Sequence, residues 1–234
     1  QFNEHMMYLK ENDFQPVSLA ASLRTLQQGG QLPANAVAIT FDDGFKNLLD
    51  SAIPLLENLK WPYTIFVNPK LINDKSQQHL TWKQLQQLAT KGAEIANHTM
   101  EHDHLIRRKS GENEDTYRNR VMADILEAES DIKSNTGQSL KMLAYPYGEF
   151  NPIIERVLKE LAFWGIAQFS GVVNASTTPT RIPRFPASGR YANLKTLITK
   201  INALAPSYTL VSPLTPQLAP QEEFPTLRIK LLEK

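Results

Sequence analysis

Asp42 and Asp43 are adjacent carboxylates at the end of a short apolar run, Ala36-Val37-Ala38-Ile39-Thr40-Phe41, and Gly44 follows them at once. Consecutive residues of a regular strand point to opposite faces, so both can serve one site only where the strand breaks. Gly44 supplies the freedom for such a break. Two close carboxylates repel unless a cation or a proton lies between them, so keeping both ionised favours a bound metal. Taken alone, the same residues equally suit a turn and a helix N-cap, places where Asp and Gly are common. His98 and His102 stand four apart. On a helix that spacing puts two imidazoles on one face, where they can share a divalent ion. Imidazole suits zinc, cobalt, nickel or iron, and one carboxylate completes a two-histidine, one-carboxylate site with open positions. The plainer alternative is a pair of surface histidines. His104 extends the cluster as a loop residue, and His5 and His79 read as surface or capping positions, with His5 left open as a distant contributor.

Two further segments carry chemistry. Tyr145-Pro146-Tyr147-Gly148 is either a turn leaving a strand or, in a sugar-binding cleft, an apolar wall. In the second case the Tyr147 backbone N–H can face a developing oxyanion. Arg184, in Arg181-Ile182-Pro183-Arg184-Phe185, is either a solvated charge or the partner that orients a catalytic carboxylate.

The elements that must position these residues alternate along the chain. Helical spacing covers Phe2 to Asn12 and Ser18 to Gln28, the latter with Ser18 as N-cap and Gly29 as stop. The run at 36–41 reads as a buried strand, Asn47 to Leu59 as a helix, and Tyr63 to Val67 as a strand. Thr81 and Gln84 have capping-box spacing at the head of a helix running to Lys91. Glu94 to Asn97 is a strand leading into His98, Glu114 to Thr136 a long helix, and Leu140 to Tyr145 a strand. A helix at Asn151 to Phe163, strands near Gly165 to Phe169 and Arg181 to Phe185, and a helix at Asn193 to Leu204 follow. Such alternation implies an α/β fold with a mostly parallel sheet, barrelled or open. In that class ligands bind beyond the C-terminal ends of the strands, and all three motif clusters fall there. Residues 206–234 differ from the preceding 1–205: they are proline-rich and end in a β-like run from Thr226 to Leu232, a C-terminal extension that opens a truncated β element.

Composition narrows the classes. A net charge of +1 in 234 residues argues against a general nucleic-acid binder, which needs a basic surplus on one face. No apolar run is long enough for a membrane span. The absence of cysteine removes disulfides, thiolate ligands and cysteine nucleophiles. Beginning at Gln1 without methionine, the chain reads as a fragment or a processed product, and no signal peptide is visible in it.

In this order the clusters resemble the polysaccharide deacetylase family, the carbohydrate esterases with a NodB-type domain. Thr40 to Gly44 is similar to its Thr-Phe-Asp-Asp-Gly motif, His98 and His102 to its His-x-x-x-His motif, and Pro146 and Tyr147 to its third motif. The resemblance implies a distorted (β/α) barrel with fewer than eight regular strands, over a domain of roughly residues 1–205. It implies Asp42 as general base and Asp43, His98 and His102 as ligands of a divalent metal, zinc first, with cobalt or nickel as alternatives. The substrate implied is an N-acetylated polysaccharide or oligosaccharide containing N-acetylglucosamine, whether poly-β-1,6-linked, chitin-like or peptidoglycan. The Ala-Tyr-Pro-Tyr-Gly form of the third motif looks closest to the branch acting on the β-1,6-linked polymer. A periplasmic, extracellular or envelope location follows from the same resemblance, and the oligomeric state does not.

The chain departs from the family pattern twice. Ala144 stands where an arginine usually orients the base, a task that Arg184 can take over from another strand. No histidine follows His104, so the usual late source of the catalytic acid is missing. These departures keep two alternatives in view: a carbohydrate-binding protein of the same fold without activity, and a hydrolase of small C–N amides.

Overall fold

The computed structural model describes residues 1–204, the backbone of 208–212, and residues 226–231. Helix α1 (Phe2–Glu11) leads to strand β1 (Gln15–Pro16), then α2 (Leu19–Gln27), β2 (Ala36–Val37) and β3 (Thr40–Phe41). After a 3₁₀ turn at Lys46–Leu49 come α3 (Ile53–Leu59), β4 (Thr64–Val67), α4 (Pro69–Asn73), α5 (Trp82–Thr90) and β5 (Glu94–Asn97). The long α6 (Glu114–Thr136) precedes β6 (Met142–Ala144), α7 (Pro152–Glu160), β7 (Trp164–Ile166) and α8 (Leu194–Ile201). Strands β8 (Tyr208–Ser212) and β9 (Arg228–Leu231) pair antiparallel with each other, so the expected β-like run at the C-terminus includes a strand.

The central sheet is parallel with order β3-β4-β5-β6-β7, each strand beside its sequential neighbour. This is an α/β fold with a curled five-stranded half-barrel of the NodB type, as the resemblance implies. Helices return the chain from each strand end to the next strand start, so every loop that follows a strand opens on the same rim. Strands β4 and β5 are buried along their whole length, which is why they read as continuous apolar runs rather than alternating ones. Thr64, Glu94 and Asn97 are the buried polar residues of these strands, and Glu94 is the acidic one. Its carboxylate accepts from the Ser18 hydroxyl, from Thr64 Oγ1 at 2.7 Å and from the Ala20 N–H at 3.2 Å. That buried charge, satisfied on several sides, ties the N-terminus of α2 to the sheet.

Local signals place the helices as the sequence predicts. Ser18 accepts from the Ala21 N–H, Thr81 and Gln84 form a reciprocal capping box, and Gly137 ends α6 in a left-handed conformation at φ 76°. Three expectations change. The run 36–41 is two strands in two sheets: Val37 pairs with Pro16 and Thr40 with Thr64. The helix expected from Asn47 to Leu59 is interrupted, because Pro54 fits only the first turn of a helix and so fixes a new start at Ile53. The strand expected at 181–185 is a single bridge from Ile182 to Ile166, since Pro183 cannot donate to a ladder. The short α4 has no counterpart in the sequence reading. No helix among the described residues is long and apolar enough to cross a membrane.

Candidate active site

The chain must leave β3 sharply to place both aspartates, and it does so in left-handed backbone. Asp43 has φ 67° and Gly44 φ 65°. Asp tolerates that region better than most residues. At Gly44 a Cβ would lie 3.0 Å from Val67 Cγ1, so a side chain there would press on Val67 as well as be strained at that φ. The reversal sends the two carboxylates to different partners.

Asp43 faces the histidines. Its Oδ1 lies 3.4 Å from His98 Nε2 and 3.4 Å from His102 Nε2, and the three ligand atoms all fall within 4.8 Å of one another. Bonds of about 2.0–2.1 Å to a tetrahedral ion would separate ligand atoms by roughly 3.3 Å, so these spacings suit one shared cation. His98 is buried and its Nδ1 donates to the Ala144 carbonyl at 2.8 Å, the tautomer that turns the Nε2 lone pair toward Asp43. Burial, then the neighbouring His98, lowers the His102 pKa against the pull of both aspartates, so the neutral ligand form is favoured. The His98 contact outweighs burial at Asp43 and holds its carboxyl below the ordinary value.

The expected helical face for the histidine pair is not what joins them. His98 follows β5 directly, and His102 sits in a non-helical loop. The turn between them is built by Asn97, whose Oδ1 accepts the Thr99 N–H at 2.8 Å, and by Thr99 Oγ1, which accepts the His102 N–H at 3.1 Å. Thr99 and His102 are at φ 68° and 61°. A β-branched residue there is strained, and such strain persists where the surroundings fix it. Asn68 Nδ2 holds the His98 carbonyl from below.

Asp42 faces the other way, into Arg184. Nη1 donates to Oδ1 at 2.7 Å and Nη2 to Oδ2 at 2.9 Å, while Nε donates to the Ala167 carbonyl at 2.8 Å. Gln168 Nε2 reaches Asp42 Oδ2 at 3.5 Å. Burial alone would raise the Asp42 pKa, but the Arg184 charge and hydrogen bonds, with His98 and Gln168, bring it below the ordinary value. The result is an ionised acceptor of fixed orientation.

The third motif divides. Tyr147, at φ 57° inside the 3₁₀ turn Pro146–Gly148, exposes its ring, stacks on His104 at 3.9 Å and meets His102 edge-to-face at 4.7 Å. Tyr145 is not a wall of the site. It is fully buried, stacks on Phe150 and donates its hydroxyl to the Thr180 carbonyl at 2.8 Å. Pro146 is buried as well and opens the turn. The change of backbone accounts for the split: Tyr145 continues β6, which is buried throughout, and only the left-handed turn at Tyr147 carries a side chain to the rim. His5 is committed elsewhere, its Nε2 2.8 Å from the Ala192 carbonyl. Sequence reasoning missed Asn97, Gln168 and Glu149, which holds His104 Nδ1 at 2.7 Å. Asn97 and Gln168 sit at or just past strand ends, the signal that could have found them.

Fold and site together define a parallel α/β half-barrel with a two-histidine, one-carboxylate cluster at its strand ends. A family model described as polysaccharide deacetylase matches residues 29–166, more than half of the chain, which therefore belongs to that family. The poly-beta-1,6-N-acetyl-D-glucosamine N-deacetylase of Escherichia coli (strain K12) is 26% identical over 216 residues, covering 77% of this chain and 32% of that protein. The protein of that description from Staphylococcus aureus (strain MRSA252) is 25% identical over 189 residues, covering 79% of this chain and 65% of that one. The chain thus spans about a third of the first relative's length and less than two thirds of the second's. Among solved structures, the Streptococcus pyogenes deacetylase PplD in complex with acetate superposes with a TM-score of 0.74 at 19% identity, covering 86% of each chain. IcaB from Ammonifex degensii gives 0.73 at 20% identity, covering 86% of this chain and 88% of that one.

Proposed function

We propose that this protein hydrolyses the N-acetyl groups of an N-acetylglucosamine polysaccharide, with the poly-β-1,6-linked polymer as first substrate. The bidentate Arg184–Asp42 pair beside the Asp43, His98 and His102 cluster carries this reading. Asp43, His98 and His102 would hold a divalent ion, zinc in the first place and cobalt or nickel otherwise. When bound, that ion supplies Lewis acidity toward the acetamide carbonyl and toward water.

The chain's own groups supply the rest. Asp42 accepts a proton from the attacking water, and Arg184 keeps that carboxylate ionised and aimed. The water oxygen bonds to the carbonyl carbon, the C–N bond breaks, and one proton must reach the leaving amine nitrogen as acetate departs. The Tyr147 N–H would donate to the carbonyl oxygen as it gains charge, and the Tyr147 and His104 rings, stacked at 3.9 Å, would offer apolar faces to a sugar. The Arg184–Asp42 contact supports the reading that Arg184 takes the orienting role left open by Ala144, and with it catalysis over mere binding. A periplasmic, extracellular or envelope location goes with this substrate.

The test is acetate release from β-1,6-linked N-acetylglucosamine oligomers by metal-loaded protein, with Asp42→Asn as control. Equal inertness of both proteins would end this reading, and turnover of small amides but not glycans would transfer it to the other hydrolase class.

A further inference from the structure

Beyond Asp43 the chain is stitched to the segment before α5. Phe45 and His79 form an antiparallel bridge, the Lys46 N–H donates to Gln78 O at 2.7 Å, and the Leu80 N–H donates to Gly44 O at 2.9 Å. The Phe45 and His79 rings stack at 5.1 Å. This stitching places a cavity of about 640 Å³ next to the turn that carries both aspartates. Its volume suits a sugar residue or two. Trp82 gives it an aromatic wall, and Asn73, whose Oδ1 takes the Trp82 indole N–H at 2.8 Å, gives it a fixed polar edge.

Its charge is one-sided. Lys46, Lys75 and Lys83 line it, and no Asp or Glu does. None of the three lysines forms an ion pair among the described residues. Asp74, beside Lys75 in sequence, lies 3.9 Å from Lys70, and Asp131 accepts from Asn73 at 2.8 Å. A whole protein of net charge +1 therefore gathers, on the wall of one cavity, three lysines without an ion pair among the described residues.

We propose that this cavity is a subsite for the neutral sugar adjacent to the one being deacetylated, and that Lys46, Lys75 and Lys83 exclude a glucosaminium residue from it. The inference rests on the proposed deacetylase reading and deepens it. Each turnover converts a neutral acetamide into a primary amine, which is protonated at about pH 6.5. A chain that slides its newly made ammonium into the cavity meets like charges on its wall. The next productive register is one that skips the modified sugar, so deacetylations become spaced along the polymer rather than contiguous.

Calorimetry at about pH 6.5 and low salt should compare a fully N-acetylated β-1,6-linked pentamer with one carrying an internal glucosamine. The wild type should bind the acetylated pentamer roughly fivefold more tightly, a preference that shrinks as ionic strength rises. The triple variant Lys46→Gln, Lys75→Gln, Lys83→Gln should lose the preference, its affinities for the two pentamers becoming equal. The triple Lys→Arg variant should retain it, separating charge from shape. Equal affinity of the wild type for both pentamers, or an undiminished preference in the glutamine variant, overturns the proposal. Acetate release is read separately: its absence overturns the deacetylase reading, while the binding comparison still decides the cavity.

Discussion

Arg184 reaches across 142 residues of chain to grip both carboxylate oxygens of Asp42, at 2.7 and 2.9 Å. Its third donor, Nε, is fixed on the Ala167 carbonyl, so the guanidinium plane is set by β7's extension rather than by the aspartate alone. The family position that usually carries the orienting arginine lies in the third motif, where this chain has Ala144. That alanine is not idle: its carbonyl accepts His98 Nδ1. One strand end thus orients His98 and the neighbouring strand's extension orients Asp42.

Arg184→Lys should therefore cost catalysis more than binding. Lysine keeps the charge but cannot make the paired donation, and it leaves the Ala167 carbonyl unpartnered. We expect kcat to fall roughly 10- to 100-fold with KM and metal content near wild type. A matched loss of metal would instead mean that Arg184 supports the whole loop cluster.

The three-ligand cluster makes a separate prediction. His102→Ala and Asp43→Asn should each reduce bound zinc or cobalt from about one per chain to below about 0.2. Added zinc should raise the wild-type Tm by mass action and leave these variants unmoved. A wild type that takes up no metal from zinc, cobalt or nickel would remove the basis for the assignment.

How much of this was legible in the sequence depends on what sets each feature. The three clusters and their strand-end placement follow from local signals: an apolar run, then carboxylates, imidazoles or a Pro-Tyr-Gly turn. The capping box at Thr81 and the extent of α6 are equally local. The pairing of Asp42 with Arg184 is not, because it depends on how the sheet curls and where Pro183 ends pairing. The i, i+4 histidine spacing suggested a helix, yet the chain achieves the same convergence with two left-handed residues and an Asn97 side-chain turn. Tyr145 and Tyr147 look alike in sequence and strand alternation would give them one face, so only the left-handed turn at Tyr147 tells inside from rim.

Tyr145→Phe tests that correction. Removing the hydroxyl takes away the donor that the Thr180 carbonyl uses, so stability should fall by about 1–2 kcal/mol. Since the ring packs on Phe150 beneath the site, KM for glycan oligomers should not change. Urea unfolding and steady-state kinetics on the same preparations separate the two effects. A raised KM at unchanged stability would restore Tyr145 to the substrate wall.

Asp124 gives a stability prediction with a defined pH window. Its Oδ1 accepts the Met100 N–H at 3.0 Å, in the turn between the two candidate metal-binding histidines. Burial, reinforced by the Glu101, Asp103 and Glu127 charges and opposed by that hydrogen bond, pushes its carboxyl up to about 6 from 3.8. Between those values the folded protein binds more protons at this group than the unfolded chain does, so its contribution to stability is lost as pH rises through the window and stays lost above it. Asp124→Asn retains an oxygen for the Met100 N–H without the charge. The variant should be more stable than wild type at pH 7–8, by about 1–2 kcal/mol once partial solvation of the carboxyl is allowed for. The advantage should vanish toward pH 4. Urea unfolding from pH 4 to 8 reads this directly. Curves for the two proteins that stay parallel throughout would mean that Asp124 titrates alike in the folded and unfolded chains.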